Sequence, residues 1–218
     1  MNLKKLVTAA VCTMLMAAVA FTAGCGGEKK SDKKVLKVGM ECAYAPYNWS
    51  QTKADGGAVK IAGSNEYAYG YDVMMAKKLA DSMGADLEIH KIEWDGLAPA
   101  VVSGKIDAAI AGMSITSKRK ETVDFTKPYY YATVVALVKK DSEQAKAQSV
   151  ADLKGSVATS QLNTIWYDQT DQVPDVKKLP AIDTVPGMIV ALTSGKCNLI
   201  VTDIPTAKAA AFANPELT

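Results

Sequence analysis

The feature that most limits the possible folds is a unit that occurs twice in the chain. Residues 97–110 and residues 188–201 both run from an apolar helical segment through Ser-Gly-Lys into a buried strand. A helix that leads directly into an apolar strand is the building unit of α/β proteins, in which helices cover a mainly parallel sheet. Two such units predict two similar lobes that face each other across a cleft.

Strands and helices alternate around both units, so the whole chain after about residue 34 is predicted to be α/β. Hydrophobic periodicity and end signals set the bounds, and Asp95 is expected to cap the second helix. The apolar stretch 132–139 is long enough to cross between the lobes, which places a hinge near 128–139. The predicted strands are 35–40, 86–91, 106–111, 132–139, 157–159, 176–179 and 199–202, and the predicted helices are 70–83, 97–103, 163–170 and 183–194.

The first 24 residues have the pattern of a secretory signal. Lys4 and Lys5 precede an apolar run, and Ala-Gly then leads to Cys25. A Cys at this point resembles the bacterial lipobox, in which that residue is acylated, although Thr22 stands where Leu is usual. A retained membrane helix is the alternative. We therefore expect a lipoprotein signal at 1–24, a flexible tether at 25–34, a first lobe at 35–131 and a second lobe at 132–218.

Charge and residue counts exclude several classes of function. The chain has 25 Lys and Arg against 23 Asp and Glu, and removal of the leader with Lys4 and Lys5 leaves it neutral, so nothing indicates nucleic-acid binding. His90 is the only histidine, which leaves almost nothing for a histidine-based metal site or a Ser-His-Asp triad. Cys42 and Cys197 remain after the leader and Cys25, and we expect two buried free thiols rather than a disulfide.

The chemistry-bearing residues fall after predicted strands, where α/β sheets bind ligands. Arg119 with its hydroxyl neighbours could hold a carboxylate, because its planar donors match two carboxylate oxygens. Asp203 could accept an ammonium, and Tyr44 and Trp94 offer flat faces. A carboxylate clamp opposite an ammonium acceptor suits a free α-amino acid. The candidate ligand-binding residues are Glu41, Tyr44, Trp94, Gly112, Ser114, Thr116, Arg119, Gln161, Thr164 and Asp203.

The order of several short motifs resembles that of polar-amino-acid substrate-binding proteins of bacterial ABC importers. Under this resemblance the fold is the two-lobed type II periplasmic-binding-protein fold. Arg119, Ser114 and Thr164 would hold the ligand carboxylate, Asp203 and the Gly112 carbonyl the ammonium, and Glu41 and Gln161 the polar end of the side chain. The family has Gly where this chain has Asn163. The motifs are Gly-Tyr-Asp-Val at 70–73, Trp-Asp-Gly-Leu at 94–97, Gly-Lys-Ile-Asp at 104–107, Ala-Gly-Met-Ser-Ile-Thr at 111–116 and Thr-Asp at 202–203.

The resemblance also implies a function and partners. The chain would be a monomer outside the cytoplasm, anchored by lipid on Cys25, that delivers an L-amino acid to an ABC permease and its ATPase without metal, cofactor or catalysis. Glu41 beside two aromatic rings favours a cationic ligand such as arginine, lysine or histidine, while glutamine or cystine stays possible. Family members continue past the equivalent of Thr218, so the chain is expected to be truncated. A prephenate dehydratase-like enzyme and a ligand-sensing module are the alternatives.

Overall fold

The structure, a computed structural model, describes residues 34–218. The predicted signal, Cys25 and all but the last residue of the predicted tether lie outside the described residues. Within 34–218, no helix combines the length and the apolar character needed to cross a bilayer.

Short strands and helices alternate along the described chain. The strands are β1 Val35–Met40, β2 Ala43–Tyr44, β3 Asn48–Gln51, β4 Val59–Lys60, β5 Tyr67–Tyr69, β6 Asp86–Lys91, β7 Ala108–Ala109, β8 Val134–Leu137, β9 Val157–Thr159, β10 Lys177–Lys178 and β11 Leu199–Asp203. The α-helices are α1 Tyr71–Met83, α2 Leu97–Val102, α3 Ser117–Lys120, α4 Ile165–Gln169, α5 Val185–Thr193 and α6 Ile204–Ala213. Single turns of 3₁₀ helix lie at Asp55–Gly57, Trp94–Gly96, Glu143–Lys146, Val150–Leu153 and Thr170–Gln172.

The N-terminal lobe is built on two sheets. A parallel sheet has the order β6-β1-β7, with Val38 of the central strand opposite Ile89 and Ala108. An antiparallel sheet has the order β2-β3-β5-β4. The apolar face of α1 packs on β5 and β6, and α2 packs on β1 and β7. Val38, Met40 and Ile89 are almost fully buried between these elements and form the centre of this lobe's core.

The C-terminal lobe is built on one sheet in the order β10-β9-β11-β8. The first three strands are parallel, and β8 runs antiparallel to β11. Helices α4, α5 and α6 all pack against β11, which is buried along its whole length. The architecture is therefore the expected α/β class with two lobes, each holding a parallel sheet flanked by helices.

One apolar cluster contains residues of both lobes. Tyr44 and Tyr47, which lie at and just after β2 of the N-terminal lobe, are buried together with Leu137, Met188 and Ile200 of the C-terminal lobe. The two tyrosine rings stack at a centroid distance of 4.7 Å. This shared cluster holds the carboxyl ends of the two parallel sheets close together, and all the candidate ligand-binding residues lie near those ends.

Several predicted elements are present with shorter bounds. The strands predicted at 106–111, 132–139 and 176–179 are confined to β7, β8 and β10, and the helix predicted at 163–170 begins at Ile165. β7 is short because it lies at the sheet edge, pairs only with β1, and precedes a left-handed turn at Gly112 with φ of +62°. The exact boundary between the lobes, predicted at 131 and 132, stays a prediction.

The predicted helix cap at Asp95 is wrong. Helix α2 starts at Leu97 with Gly96 at its N-cap position and no capping side chain, and Asp95 lies one residue earlier, within the 3₁₀ turn Trp94–Gly96. The side chain of Asp95 accepts a hydrogen bond from the C-terminal lobe instead. The expectation for the thiols is confirmed, because Cys42 and Cys197 are buried and free.

Candidate functional site

The candidate residues follow the carboxyl ends of the parallel strands of both lobes. Glu41 directly follows β1, Trp94 follows β6, Gly112 follows β7, Gln161 follows β9, and Asp203 ends β11. Because both sheets direct these ends toward the other lobe, residues far apart in sequence meet. A small cavity of about 10 Å³, the volume that one water needs, is lined by Tyr44, Trp94, Ala111, Gly112, Ser114, Arg119, Gln161, Thr164, Ile165 and Trp166. Seven of the ten candidate residues are in this lining.

The Arg119 guanidinium bridges the two lobes. Its Nη1 donates to the Ser114 carbonyl at 2.7 Å and its Nη2 donates to the Asn163 carbonyl at 2.8 Å, while its Cζ lies 5.4 Å from the centroid of the Trp94 ring. Burial lowers the pKa of this guanidinium, and the charge of Asp168 opposes that effect. Arg119 therefore donates from both arms of its fork to backbone carbonyls, and the same donors suit two carboxylate oxygens.

Thr116 lies behind Arg119 and does not line the cavity. It is the N-cap of α3, where its Oγ1 accepts the Arg119 N–H at 3.2 Å. Thr164 has the same function at α4, because its Oγ1 accepts the Tyr167 N–H at 3.3 Å, but it does line the cavity. Hydroxyl caps of this kind fix where a short helix begins. Thr116 thus orients the residue predicted to hold the carboxylate.

Glu41 has a buried carboxyl group in which one oxygen lacks a hydrogen-bond partner. It is 4% exposed, and its Oε2 accepts from Gln161 Nε2 at 3.0 Å, whereas its Oε1 has no hydrogen-bond partner. Burial raises the pKa of Glu41 to about 7, the Gln161 hydrogen bond opposes the rise, and the charge of Glu93 adds to it. Because the pKa is raised, Glu41 stabilises the ligand-free fold most at acidic pH, and that contribution falls as the pH rises toward about 7.

Asp203 is fully buried and accepts four hydrogen bonds from protein groups. Its Oδ2 accepts from Tyr44 Oη at 2.5 Å and Thr206 Oγ1 at 3.0 Å, and its Oδ1 accepts from Tyr47 Oη at 3.2 Å and the Thr206 N–H at 3.0 Å. Burial raises the pKa of Tyr44 well above its usual value, and the charge of Asp203 adds to this. The Tyr44 hydroxyl therefore donates where the sequence predicts a ligand ammonium.

A buried hydrogen-bond network fixes the loops on the N-terminal side of the cavity. The Gly112 N–H donates to Tyr129 Oη at 3.0 Å, which donates to Asp72 Oδ1 at 2.7 Å. Asn48 Nδ2 donates to Asp72 Oδ2 at 2.7 Å, and the Cys42 N–H donates to Asn48 Oδ1 at 2.8 Å. Burial raises the pKa of Asp72 to about 6. The network thus ties the loop after β1 to the loop after β7.

Gly112 is the one candidate whose lack of a side chain is needed. At its φ of +62° a Cβ atom would lie 2.8 Å from Cε1 of Tyr44. A glycine here allows the chain to turn and the Tyr44 ring to approach the backbone. Sequence reasoning found Gly112 by its place after a strand, but it did not find the network that Asp72 and Tyr129 form beside it.

Two larger cavities are also present. A groove of about 560 Å³ along β8 is lined by apolar and neutral polar side chains, which offer no charged partner to a carboxylate or an ammonium. A cavity of about 360 Å³ adjoins the small one and shares Tyr44, Gly112, Ser114, Ile165 and Trp166 with it. Among the residues that the structure describes, no group of His, Cys, Asp and Glu could hold a metal ion.

Comparison with known proteins agrees with this geometry. A family model described as "Bacterial extracellular solute-binding proteins, family 3" matches residues 36–185. A "Probable histidine-binding protein" of Campylobacter jejuni is 31% identical over 84% of this chain, which spans 65% of that protein's length. The "ABC transporter arginine-binding protein 1" of Escherichia coli is 30% identical over 99% of this chain and 77% of its own length.

Solved structures of two-lobed amino-acid-binding proteins are also similar. The arginine-bound form of truncated ArgBP from T. maritima has a TM-score of 0.70 and 30% identity, covering 84% of this chain and 80% of that one. An ancestral arginine-binding protein bound to glutamine has a TM-score of 0.70 and 32% identity, covering 86% of this chain and 78% of that one.

We expect Tyr129→Phe to lower the free energy of unfolding by about 1–3 kcal/mol at pH 8, because it leaves a buried carboxylate oxygen of Asp72 without a donor. The loss should shrink at pH 5, below the Asp72 pKa of about 6, where the carboxyl group is neutral. Urea unfolding at both pH values measures it. Tyr71→Phe is the matched control, since the Tyr71 hydroxyl donates to the exposed backbone carbonyl of Tyr129 and not to Asp72. Equal, pH-independent losses in the two variants would contradict the network's role.

Proposed function

Because the chain belongs to the bacterial extracellular solute-binding proteins of family 3, we propose that it is the substrate-binding component of an ABC importer and captures a cationic L-amino acid between its lobes. Its partners are then an ABC permease with its ATPase, and the membrane through lipid on Cys25. The protein acts as a monomer outside the cytoplasm. The names of its relatives, which include histidine-, arginine- and cystine-binding proteins, support a polar amino acid as ligand.

The choice of a cationic side chain rests on the oxygen of Glu41 that has no hydrogen-bond partner. A buried carboxylate oxygen without a donor is unfavourable, so the site gains most from a ligand that supplies one. A guanidinium, ammonium or imidazolium also neutralises the charge that burial disfavours. Glu41 does not line the small cavity itself, but its hydrogen-bond partner Gln161 does. Trp94 and Tyr44 line the same cavity, and their aromatic faces attract a cation further. Glutamine suits the site less well because its side chain brings no positive charge to Glu41, and cystine suits it less well because its distal ammonium comes with a second carboxylate.

Binding proceeds as an exchange of hydrogen bonds in this proposal. The ligand carboxylate replaces the Ser114 and Asn163 carbonyls on Arg119, and the ligand ammonium replaces the Tyr44 hydroxyl on Asp203. The cavity of about 10 Å³ is far smaller than an amino acid, so the lobes must separate before the ligand enters. Hinge closure over a ligand is the motion of periplasmic binding proteins in general. Each exchange replaces a hydrogen bond that has one charged partner with one that has two opposite charges, which favours the closed complex.

The direct test is calorimetry with a panel of L-amino acids on wild type and Arg119→Ala. We expect a cationic amino acid to bind wild type, and Arg119→Ala to weaken every amino acid by more than about a hundredfold, because two charge-assisted hydrogen bonds to the carboxylate are lost. Lys118→Ala, an exposed neighbour on the same short helix, is the control and should bind normally. Undiminished binding by Arg119→Ala, or turnover of prephenate to phenylpyruvate, would contradict the proposal.

A second prediction concerns pH. With a pKa of about 7, Glu41 is largely protonated below neutrality in the ligand-free protein, and a cationic ligand favours its ionised form. Binding of L-arginine should therefore release a proton below pH 7, and affinity should rise with pH up to about 7 and then level off. Calorimetry in buffers of different ionisation enthalpy measures the proton. Glu41→Gln should remove the proton release and the preference over glutamine; proton uptake by wild type would contradict it.

A further inference from the structure

Asn163 joins the two lobes at the rim of the cleft through two separate hydrogen bonds. Its side-chain Nδ2 donates to Asp95 Oδ1 at 2.9 Å. Its backbone carbonyl accepts from Arg119 Nη2 at 2.8 Å. Asp95 and Arg119 belong to the N-terminal lobe, whereas Asn163 lies between β9 and α4 of the C-terminal lobe. One residue thus connects the C-terminal lobe to two elements across the cleft.

The backbone of Asn163 has the conformation that usually calls for glycine. Its φ is +54°, in the left-handed region, where Asn is one of the few tolerated residues with a side chain. A glycine here would keep the carbonyl that faces Arg119, but it would have no side chain to reach Asp95. The contact with Asp95 is therefore available only because this position carries Asn.

The two partners of Asn163 flank the aromatic wall of the cavity. Asp95 follows Trp94 directly in the 3₁₀ turn after β6, and the Trp94 ring lies against the Arg119 guanidinium. The bond to Asp95 holds this turn toward the C-terminal lobe, and the bond to Arg119 holds the guanidinium in the same place. Because the contact with Asp95 is exposed at the rim, it must break whenever the lobes separate, while it touches no part of the cavity floor.

We propose that Asn163 is a positioning residue that latches the closed cleft through its side chain on Asp95, and so slows release of the bound ligand. This proposal rests on the proposed function, because the latch acts on whatever the cleft holds. The bond forms only after the lobes meet, so its loss should raise the dissociation rate and leave the association rate nearly unchanged. Because Asn163 donates this bond and Asp95 accepts it, we also expect that the two residue types can be exchanged between the two positions.

The test is an exchange experiment on the dissociation rate of L-arginine, followed by stopped-flow tryptophan fluorescence. Asn163→Asp places two carboxylates in contact and should raise the rate at least tenfold, since like charges repel at this distance. Adding Asp95→Asn restores one donor and one acceptor, and the double variant should return to within about threefold of wild type. Failure of the second substitution to rescue the first would overturn the latch, because the defect would then come from the new charge beside Arg119.

A second pair of variants separates the latch from a general effect on folding. Asn163→Gly is compatible with the left-handed backbone and removes only the side chain, and Asp95→Ala removes only the partner. Each should speed dissociation about threefold, the range of a single exposed hydrogen bond, and the two together should be no faster than the faster single variant. Multiplying effects would overturn the proposal.

The distance between the lobes can also be measured without a ligand, so that the latch is tested independently of the proposed function. Spin labels on Lys78→Cys of α1 and Lys208→Cys of α6, both exposed positions, report the distance between the lobes. Asn163→Asp should shift the distance distribution to longer values, and the double variant should shift it back. An unchanged distribution in Asn163→Asp would overturn the latch even if amino acids bind. Absence of amino-acid binding with the shift present would overturn only the proposed function.

Discussion

The buried carboxylate of Asp203 is the interaction on which the closed arrangement of the lobes depends. A carboxylate with no exposed surface is tolerated only when donors surround it, and Asp203 has four. Two come from Thr206 at the start of α6, and two come from Tyr44 and Tyr47 of the other lobe. The tyrosine rings pack in the apolar cluster of the C-terminal lobe. Polar and apolar contacts therefore act at the same place to bring the strand ends together.

This arrangement explains why the candidate site holds so little space. The groups predicted to bind a ligand are occupied by parts of the protein that resemble the ligand chemically. Backbone carbonyls of Ser114 and Asn163 take the place of a carboxylate on Arg119, and the Tyr44 hydroxyl takes the place of an ammonium on Asp203. Glu41 is the exception, since its Oε1 finds no substitute. Under the proposed function, this oxygen is the acceptor for the cationic side chain of the ligand.

The sequence predicts the fold well where the signal is local. β1, β6 and β9 have their predicted bounds, and β6 shows the alternation of polar and apolar residues that identifies a strand locally. The positions of Glu41, Trp94 and Gln161, each after a parallel strand, follow from the α/β pattern, so the clustering of candidate residues was predictable. The ends of the elements were less predictable. Asp is a residue type that commonly caps helices, but the hydrogen-bond partner of Asp95 is 68 residues away in the chain.

The contacts that could not be predicted from the sequence are polar and join residues far apart in the chain. The bond between Tyr44 and Asp203 joins residues 159 positions apart, and the Tyr129 bond to Asp72 joins residues 57 apart. Nothing in the local sequence of a tyrosine shows whether its ring or its hydroxyl meets the site. Asn163 is the intermediate case. Its departure from glycine is visible in the sequence, but its left-handed backbone and its reach to Asp95 appear only in the structure.

The central claim, that Arg119 and Glu41 hold opposite ends of a cationic amino acid, is tested most directly by calorimetric titration at pH 8 with three related molecules. L-Arginine has both ends, agmatine lacks the carboxylate, and L-citrulline has a neutral side chain of the same shape. We expect L-arginine to bind tightest, agmatine to lose more than about a hundredfold in affinity, and L-citrulline to fall between them. Agmatine binding as tightly as L-arginine would contradict it.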